Sequence, residues 1–417
     1  MRKGVRWLLA GLTVLALATG AFGYADWNLA GKGARALGMG GAFTALADDA
    51  TAISWNPAGL AQLDRMELSG VFKLEALSVK MSPHSFKINN VAYHWVDKNA
   101  SQTHFVVNFA SGVVPLKIKE RNLTLALAYQ QQLDFYQSSG DSNYQSKMTG
   151  GAYTFSPGLA YQITPQFSLG AAYNIWTNSA NYSYKNFLVS NRDYEYKEPY
   201  SGQNFFFGAW AHVKPVKFGA VLRTPVTLTY HQEYSGPGAG TITRRPVTGD
   251  WKQKIPLMYG FGMAVEPHPN FTLSADLDFR PFSNMEVLDS VGVADTSVHF
   301  QNCTQIRLGM EILAMAGQAI LPIRLGYHTD PKTYTGWKYS IDPVNGFTAV
   351  SDGDQTVGHV FTFGNGVAFK KFQLDEAFEL GITSQKHTYD VTTGYDPSNH
   401  TRKTTSFRWL ISGIIRF

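Results

Sequence analysis

The last twelve residues, Ser406 to Phe417, alternate without interruption. Phe407, Trp409, Ile411, Gly413, Ile415 and Phe417 share one face, and Ser406, Arg408, Leu410, Ser412, Ile414 and Arg416 share the other. A strand that is greasy on one side and charged on the other, with no chain left to cover it, suits the wall of a transmembrane β-barrel. For this segment alone, an edge strand of a soluble sheet is the alternative. From Leu68 onward the same unit repeats: an alternating segment, a short polar turn, an alternating segment, a long polar loop. Short turns stand at Ile163-Thr164-Pro165-Gln166, Lys214-Pro215-Val216-Lys217, Glu266-Pro267-His268-Pro269-Asn270 and Lys370-Lys371-Phe372-Gln373. Pro and Asn in such places end pairing and set the turn.

This periodicity predicts strands near 68–79, 103–115, 122–137, 149–163, 166–184, 203–213 and 216–231 in the first half. The second half predicts 256–266, 271–285, 301–313, 319–328, 358–370, 373–389 and 403–417. The total is about fourteen, an even number, as in single-chain bacterial barrels. Long connections near 80–102, 138–148, 185–202, 232–255, 286–300, 329–357 and 390–402 alternate with the short ones. Short turns then face the periplasm and long loops the outside.

Charge placement follows the same period. Phe271, Leu273, Ala275, Leu277 and Phe279 interleave with Thr272, Ser274, Asp276, Asp278 and Arg280. A charge on the lipid face at mid-bilayer costs about 2–4 kcal/mol, so the polar set is predicted to face the lumen. Arg307 and Glu311, then Arg324 and His328, fall inward by the same rule. Two readings of this cluster stay open: a salt-bridged lining, or an arginine among Arg280, Arg307 and Arg324 whose guanidinium takes a ligand carboxylate in a bidentate fork.

The N-terminus adds a compartment. Arg2, Lys3 and Arg6 precede an apolar run from Trp7 to Thr19, the pattern of a secretory signal peptide with cleavage after Gly23 or Ala25. The run is shorter than the ~20 residues a spanning helix needs, and no Cys near the cut invites a lipid anchor. A mean hydropathy of −0.16 does not oppose a membrane location, because a barrel shows lipid only every second residue. Cys303 is the single cysteine, which excludes an intramolecular disulfide framework and reads as a packed residue. A net charge of +5 without a basic run sets nucleic acid aside as a partner. No nucleophile elbow, His-Glu-x-x-His or cysteine pair points to an enzyme, and no cofactor or metal is called for. The glycines of Gly31-Lys32-Gly33-Ala34-Arg35-Ala36 follow the leader and not a strand, so they are no dinucleotide fingerprint.

Between leader and first strand lies a stretch that does not alternate, Gly33 to Leu60, dominated by Gly and Ala. Asp48 and Asp49 can cap a short helix near Ala50 to Trp55, and Asn56 before Pro57 reads as an N-cap with Pro at the first helical position. This composition predicts a plug of short helices in a lumen otherwise wide enough to leak. Here the chain resembles the long-chain fatty acid transporters of the outer membrane and their aromatic-hydrocarbon-importing relatives. The residues that carry the resemblance are Arg35 to Gly41, Ala47-Asp48-Asp49, Asn56-Pro57-Ala58-Gly59-Leu60, and a second block, Ser156 to Gly170, similar to the family's hairpin of fourth and fifth strands.

The expected fold is thus all-β: a transmembrane antiparallel barrel of about 14 strands (67–417), a hatch inside it (24–66) and a signal peptide (1–23). The resemblance implies passive uptake of a hydrophobic small molecule in the outer membrane of a Gram-negative-type cell. In the implied route the ligand is caught by loops, the hatch moves, and the ligand leaves sideways where the third strand kinks. It also implies a monomer whose partners are the ligand, outer-membrane lipids and the assembly machinery, which would read Phe417. Asn56, Pro57, Ala58, Gly59, Asp48 and Asp49 are the expected hatch and gating residues. Arg280, Arg307, Arg324, Phe187 and Leu188 are the candidate ligand contacts, the last two within an apolar loop patch with Val189, Tyr194, Tyr196 and Tyr200. Two departures stand out. The third strand, Asn122 to Tyr136, has no Gly or Pro to mark a kink, while Gly112, Pro115 and Pro157-Gly158 lie in its neighbours. The loop from Lys185 to Gly202 is short for the family's capturing loop. Barrels that serve as shuttles or scaffolds in protein secretion share the Gly-rich opening and are the alternative; a general polar pore is a third reading.

Overall fold

The computed structural model describes residues 29, 31–82, 84–88, 91–95, 99–140, 144–177, 179–186, 193–231, 233–235, 250–294, 299–342, 346–390 and 398–417. The predicted signal peptide and the loop residues Phe187 and Leu188 lie outside them. The wall is a closed antiparallel barrel of fourteen strands. They are β1 (Glu67–Met81), β2 (Asn99–Ile118), β3 (Arg121–Asp134 with Gln137–Gly140), β4 (Tyr144–Thr164) and β5 (Phe167–Thr177 with Ser179–Asn186). Next come β6 (Tyr194–Val213), β7 (Val216–Arg223, Val226–His231 and Glu233–Ser235), β8 (Asp250–Ile255 with Met258–His268), β9 (Phe271–Arg280) and β10 (Cys303–Ala316). β11 (Ala319–Asp342), β12 (Gly346–Ala368), β13 (Phe372–Asp390) and β14 (Ser398–Arg416) complete the wall. β1 closes on β14 from Glu67↔Arg416 to Met81↔Arg402, so the terminal alternating segment is the closing strand.

The two-residue period decides which way each side chain points. In β9 Leu273 and Leu277 are exposed, where lipid lies, while Ser274, Asp276 and Arg280 are buried. In β10 and β11 the exposed set is Ile306, Leu308, Ile312, Ile323 and Leu325, and the buried set is Arg307, Glu311, Arg324 and His328. The predicted inward carboxylates and arginines are where the pleat sends them.

Three boundaries differ from the sequence reading. β9 stops at Arg280, not near 285, because Pro281 has no N–H for the ladder and leads into a 3₁₀ turn, Phe282–Asn284. Much of the predicted outer loops is strand: β11 and β12 stay paired as far as Asp342↔Gly346. Above the bilayer neither face meets lipid, so a strand there needs no alternation and leaves no periodic signal. Within the predicted loop 80–102, His84–Ile88 and Val91–Trp95 form a separate hairpin.

The hatch fills the lumen with α1 (Ala34–Gly38), α2 (Ala52–Trp55) and a 3₁₀ helix, Pro57–Gln62. α2 begins two residues later than predicted, since Asp49 spends its Oδ1 on Thr51 (N–H 2.8 Å, hydroxyl 2.5 Å) and caps the turn before it. Asn56 caps the 3₁₀ helix as read from the sequence, its side chain accepting from Ala58 N–H. Seven wall glycines form the seat of the hatch: Gly170 faces Pro57, Gly208 faces Asn56, and Gly219 and Gly262 face Thr44. Gly309 faces Met39, Gly326 faces Gly40 and Gly364 faces Gly38. A Cβ at any of these positions would press into the hatch.

Candidate functional site

The hatch is tied to the wall on all sides. Asn56, fully buried, donates from Nδ2 to the carbonyls of Thr44 and Ala209, both at 2.9 Å. Asp276 accepts the N–H groups of Phe43 and Thr44 at 2.9 Å each. Trp210 Nε1 donates to Ala45 O (2.8 Å) and Ser168 to Ala58 O (2.9 Å). Pro57, Ala58 and Gly59 are buried, Gly59 directly against Ala47. Asp48 and Asp49 flank Arg35, at 2.5 and 3.9 Å. Burial pushes the Asp49 carboxyl up, and the Arg35 charge opposes that.

The lumen charges form chains. Glu311 receives Arg35 through both oxygens (3.1 and 3.2 Å) and Arg324 at 2.6 Å. Arg324 continues to Asp375 at 2.8 Å. Arg416 meets Glu67 at 2.7 Å, and Glu67 in turn accepts Ala50 N–H at 2.9 Å. Arg307 is ion-paired with Asp278 and donates to Gln305 at 2.6 Å. Arg280 donates to the same Gln305 oxygen at 2.7 Å and lies 3.4 Å from Asp278. The three arginines singled out in the sequence are thus all engaged by wall carboxylates, and Arg324 also reaches the hatch through Glu311.

Outward of the hatch, at the strand ends opposite the short turns, inward side chains pack into an apolar cluster. Trp176, Tyr182, Tyr196, Tyr200, Tyr230 and Phe135 pack with Leu228, Met258, Phe282 and Met285. Tyr182 and Tyr196 stack at 4.8 Å, and Tyr200 meets Tyr230 edge-on at 5.6 Å. Of the predicted loop patch, Tyr196 and Tyr200 therefore belong to this interior cluster, as parts of β6.

Beside this cluster lies a small cavity lined by Leu29, Trp176 and Phe206 and by the amides of Gln130, Gln132, Asn174 and Asn204. Ser54 and Arg223 complete the lining, and Arg223 is its one charged residue. The Arg223 guanidinium stacks 3.9 Å above the Phe206 ring and donates to Ser54 O at 3.1 Å. Sequence reasoning missed Arg223. Its parity, opposite to the exposed Leu222, marks it as inward, but nothing in one strand tells which inward arginine lines the cavity.

Beside the cavity the wall is incomplete. β2 pairs with β3 only from Ile118↔Arg121 to Phe109↔Gln130, although β2 runs on to Asn99 beside β1. Irregularities at Asn108 in β2 and at Gln132 in β3 mark the break. Across it Gln102 reaches the opposing backbone, donating to Tyr136 O at 3.1 Å and accepting from Ser138 N–H at 2.8 Å. The His104 and Tyr136 rings stack there at 4.2 Å.

A family model described as outer membrane protein transport protein (OMPP1/FadL/TodX) matches residues 10–335. The chain belongs to that family. No curated protein matches the sequence. Among solved structures, a Pseudomonas aeruginosa FadL homologue superposes with a TM-score of 0.68 at 14% identity, over 94% of this chain and 100% of that one. The toluene transporter TodX of P. putida gives 0.57 at 13% identity, over 94% and 99%. The toluene transporter TbuX of Ralstonia pickettii gives 0.52 at 14% identity, over the same shares. This FadL/TodX-family chain is therefore a multi-pass outer-membrane transport barrel, and the likeness to solved structures extends to the fold.

Proposed function

We propose that the barrel takes up hydrophobic small molecules, long-chain fatty acids or hydrocarbons, passively across the outer membrane. The observation that carries this reading is the apolar, aromatic-rich interior cluster above a lumen filled by the hatch. A polar pore has no use for such a cluster of inward aromatics, whereas an apolar ligand gains about 0.8 kcal/mol for each methylene it buries against them. Loop residues including Phe187 and Leu188 would make the first contact. Movement of the hatch around Asn56-Pro57-Ala58-Gly59 and the Asp48-Asp49 step would then clear the lumen.

The break between β2 and β3 supports a sideways exit. Lipid-facing Phe105 and Val107 border it on the outside, and Gln130 and Gln132 of the cavity border it within. A ligand leaving there enters the bilayer without crossing water. Within this reading a ligand carboxylate approaching Arg280, Arg307 or Arg324 competes with Asp278, Glu311 or Asp375.

The test is accumulation of radiolabelled oleate and toluene by outer-membrane-competent cells lacking their own transporter of this kind, with and without the protein. A stapled variant, His104→Cys with Tyr136→Cys joined by a short thiol crosslinker, should stop accumulation, and a cleavable linker should restore it. Equal accumulation in cells with and without the unmodified protein would sink the uptake reading; normal uptake through the stapled barrel would sink only the lateral exit.

A further inference from the structure

On the outward face of the seam, three adjacent strands change chemistry in the same order toward the cell exterior. β1 passes from its apolar positions through Ala76 to Ser78 and Lys80, β14 from Phe407 to Thr405 and Lys403, and β13 from Ile382 to Ser384 and Lys386. The register aligns these steps: Ala76 lies opposite Phe407, Ser78 opposite Thr405 and Lys80 opposite Lys403. On the other side Ser384 pairs with Lys403, which puts Lys386 on its diagonal. About twelve residues of strand at about 3.3 Å each, tilted about 40°, lift Lys80 about 30 Å above Leu68, past the rim of an apolar band about 25 Å tall. The three lysines are exposed, and none of them enters an ion pair among the described residues. On β2, the next strand round the wall, Thr103 and Ser101 stand at this height, so the basic patch ends at β1. Like charges directly opposite on a sheet are destabilising, with Cβ atoms about 5 Å apart and about 7–8 Å on the diagonal. Three ammonium groups gathered in this way lack an anion from within the chain.

We infer that Lys80, Lys386 and Lys403 bind a phosphate of lipid A, the phosphorylated glucosamine lipid of the outer leaflet, and hold one such molecule against the seam. Position and charge select this occupant. The patch stands where the strands lead into long outer loops, and phosphate groups on the sugars of the outer leaflet lie at that height. Lysine at a bilayer edge lays its stem along apolar surface and lifts its ammonium to the head groups. Ser78, Thr405 and Ser384 stand one step lower, at the depth of the amide and ester groups that join sugar to acyl chains, and have hydroxyls to donate to them. The chains then lie on exposed Phe407 and on Phe72 and Phe105, whose rings stack at 5.9 Å. This site is on the outside of the wall and is independent of what passes through the lumen.

The test is native mass spectrometry of the intact protein in a neutral detergent, titrated with bisphosphorylated lipid A and, for comparison, with dephosphorylated lipid A and phosphatidylglycerol. Lipid A should bind saturably and at least tenfold more tightly than either comparison lipid. Lys80→Gln, Lys386→Gln and Lys403→Gln should each weaken it about fivefold, the worth of one lysine at an anionic membrane surface, and the triple variant about a hundredfold. Arginine at all three positions should keep the binding. Lys370→Gln with Lys371→Gln removes two charges from an exposed turn at the opposite, periplasmic rim and should leave it unchanged. Should the triple variant lose its compact band in unheated gels, the three single variants decide. The inference is overturned by absence of saturable lipid A binding, by undiminished binding to the lysine variants, or by an equal loss in the Lys370 and Lys371 control. Either comparison lipid bound as tightly as lipid A also overturns it.

Discussion

Replacing Asn56 by alanine removes three hydrogen bonds at a site with no access to solvent. The Thr44 and Ala209 carbonyls lose a donor at 2.9 Å each, and Ala58 N–H loses its acceptor at 3.1 Å. Thr44 and Ala58 belong to the hatch and Ala209 to the wall, so at about 1 kcal/mol net per bond the folded, docked hatch loses about 3 kcal/mol, of which about 1 kcal/mol is docking, and more if the groups left behind stay dry. Since about 1.4 kcal/mol is a factor of ten, release of an intact hatch rises about fivefold and release with local unfolding of the hatch by about two orders of magnitude. The wall itself loses one donor to Ala209, so the barrel should still migrate as a compact species in unheated gels. In planar bilayers the variant should show frequent openings where the native protein is closed, and protease added from the periplasmic side should cut near residue 56. Asn56→Asp should behave as badly, because it keeps the acceptor for Ala58 but turns a carboxylate toward two carbonyls. A quiet conductance trace together with an uncut hatch in both variants would refute the view that Asn56 latches the hatch.

Glu311→Gln leaves half-buried Arg35 and buried Arg324 without their shared carboxylate, so the temperature at which the barrel loses its compact band should fall, for a cost of about 3–5 kcal/mol. Adding Arg324→Met should recover part of that loss. Burial pulls the Lys32 ammonium down to about 7 from 10.5; the cations Lys73, Arg223 and Arg408 add to the shift and Glu379 opposes it. Between those values the unfolded chain binds the proton and the docked hatch does not, so the Lys32 contribution to stability rises with pH across that window. The temperature at which the compact band is lost should therefore rise from about pH 7 to about pH 10, and Lys32→Gln should flatten that rise. Phe417 is 63% exposed and is tied by its N–H to Met66 O at 3.1 Å. Its deletion should leave refolding in detergent unchanged and lower the amount of folded barrel in outer membranes; an unchanged amount would deny it a part in assembly.

The wall was legible because the bilayer enforces a rule the sequence must obey: every second residue of a spanning strand faces hydrocarbon. Phe271 to Arg280 could be assigned side by side on that ground alone. The rule lapses outside the bilayer, which is why the outer stretches of β11 and β12 read as loop. The helix start at Pro57 was legible because Asn-Pro solves a local problem of capping. The break between β2 and β3 was not, because a search for Gly or Pro presumes that a ladder ends where the backbone cannot pair. Here it ends where two single-residue irregularities, at Asn108 and Gln132, carry the strands out of register. Arg223 was hidden for a different reason: its place over Phe206 and at Ser54 depends on a neighbouring strand and on the hatch, and is visible only when the lumen is closed.

The seven glycines that seat the hatch have a consequence for how such a barrel can be made. On β5 to β8 and β10 to β12 they leave the inner surface of the wall without side chains along one belt, and the main chain of residues 38 to 58 supplies the missing bulk. The insert acts as a mandrel: the wall takes its waist from an object that is already there. A tube shaped in this way cannot be filled afterwards through a finished opening, so the hatch has to be inside before β14 zips onto β1. Excising it would not yield the same tube with a clear bore, but one free to collapse or change section at the belt.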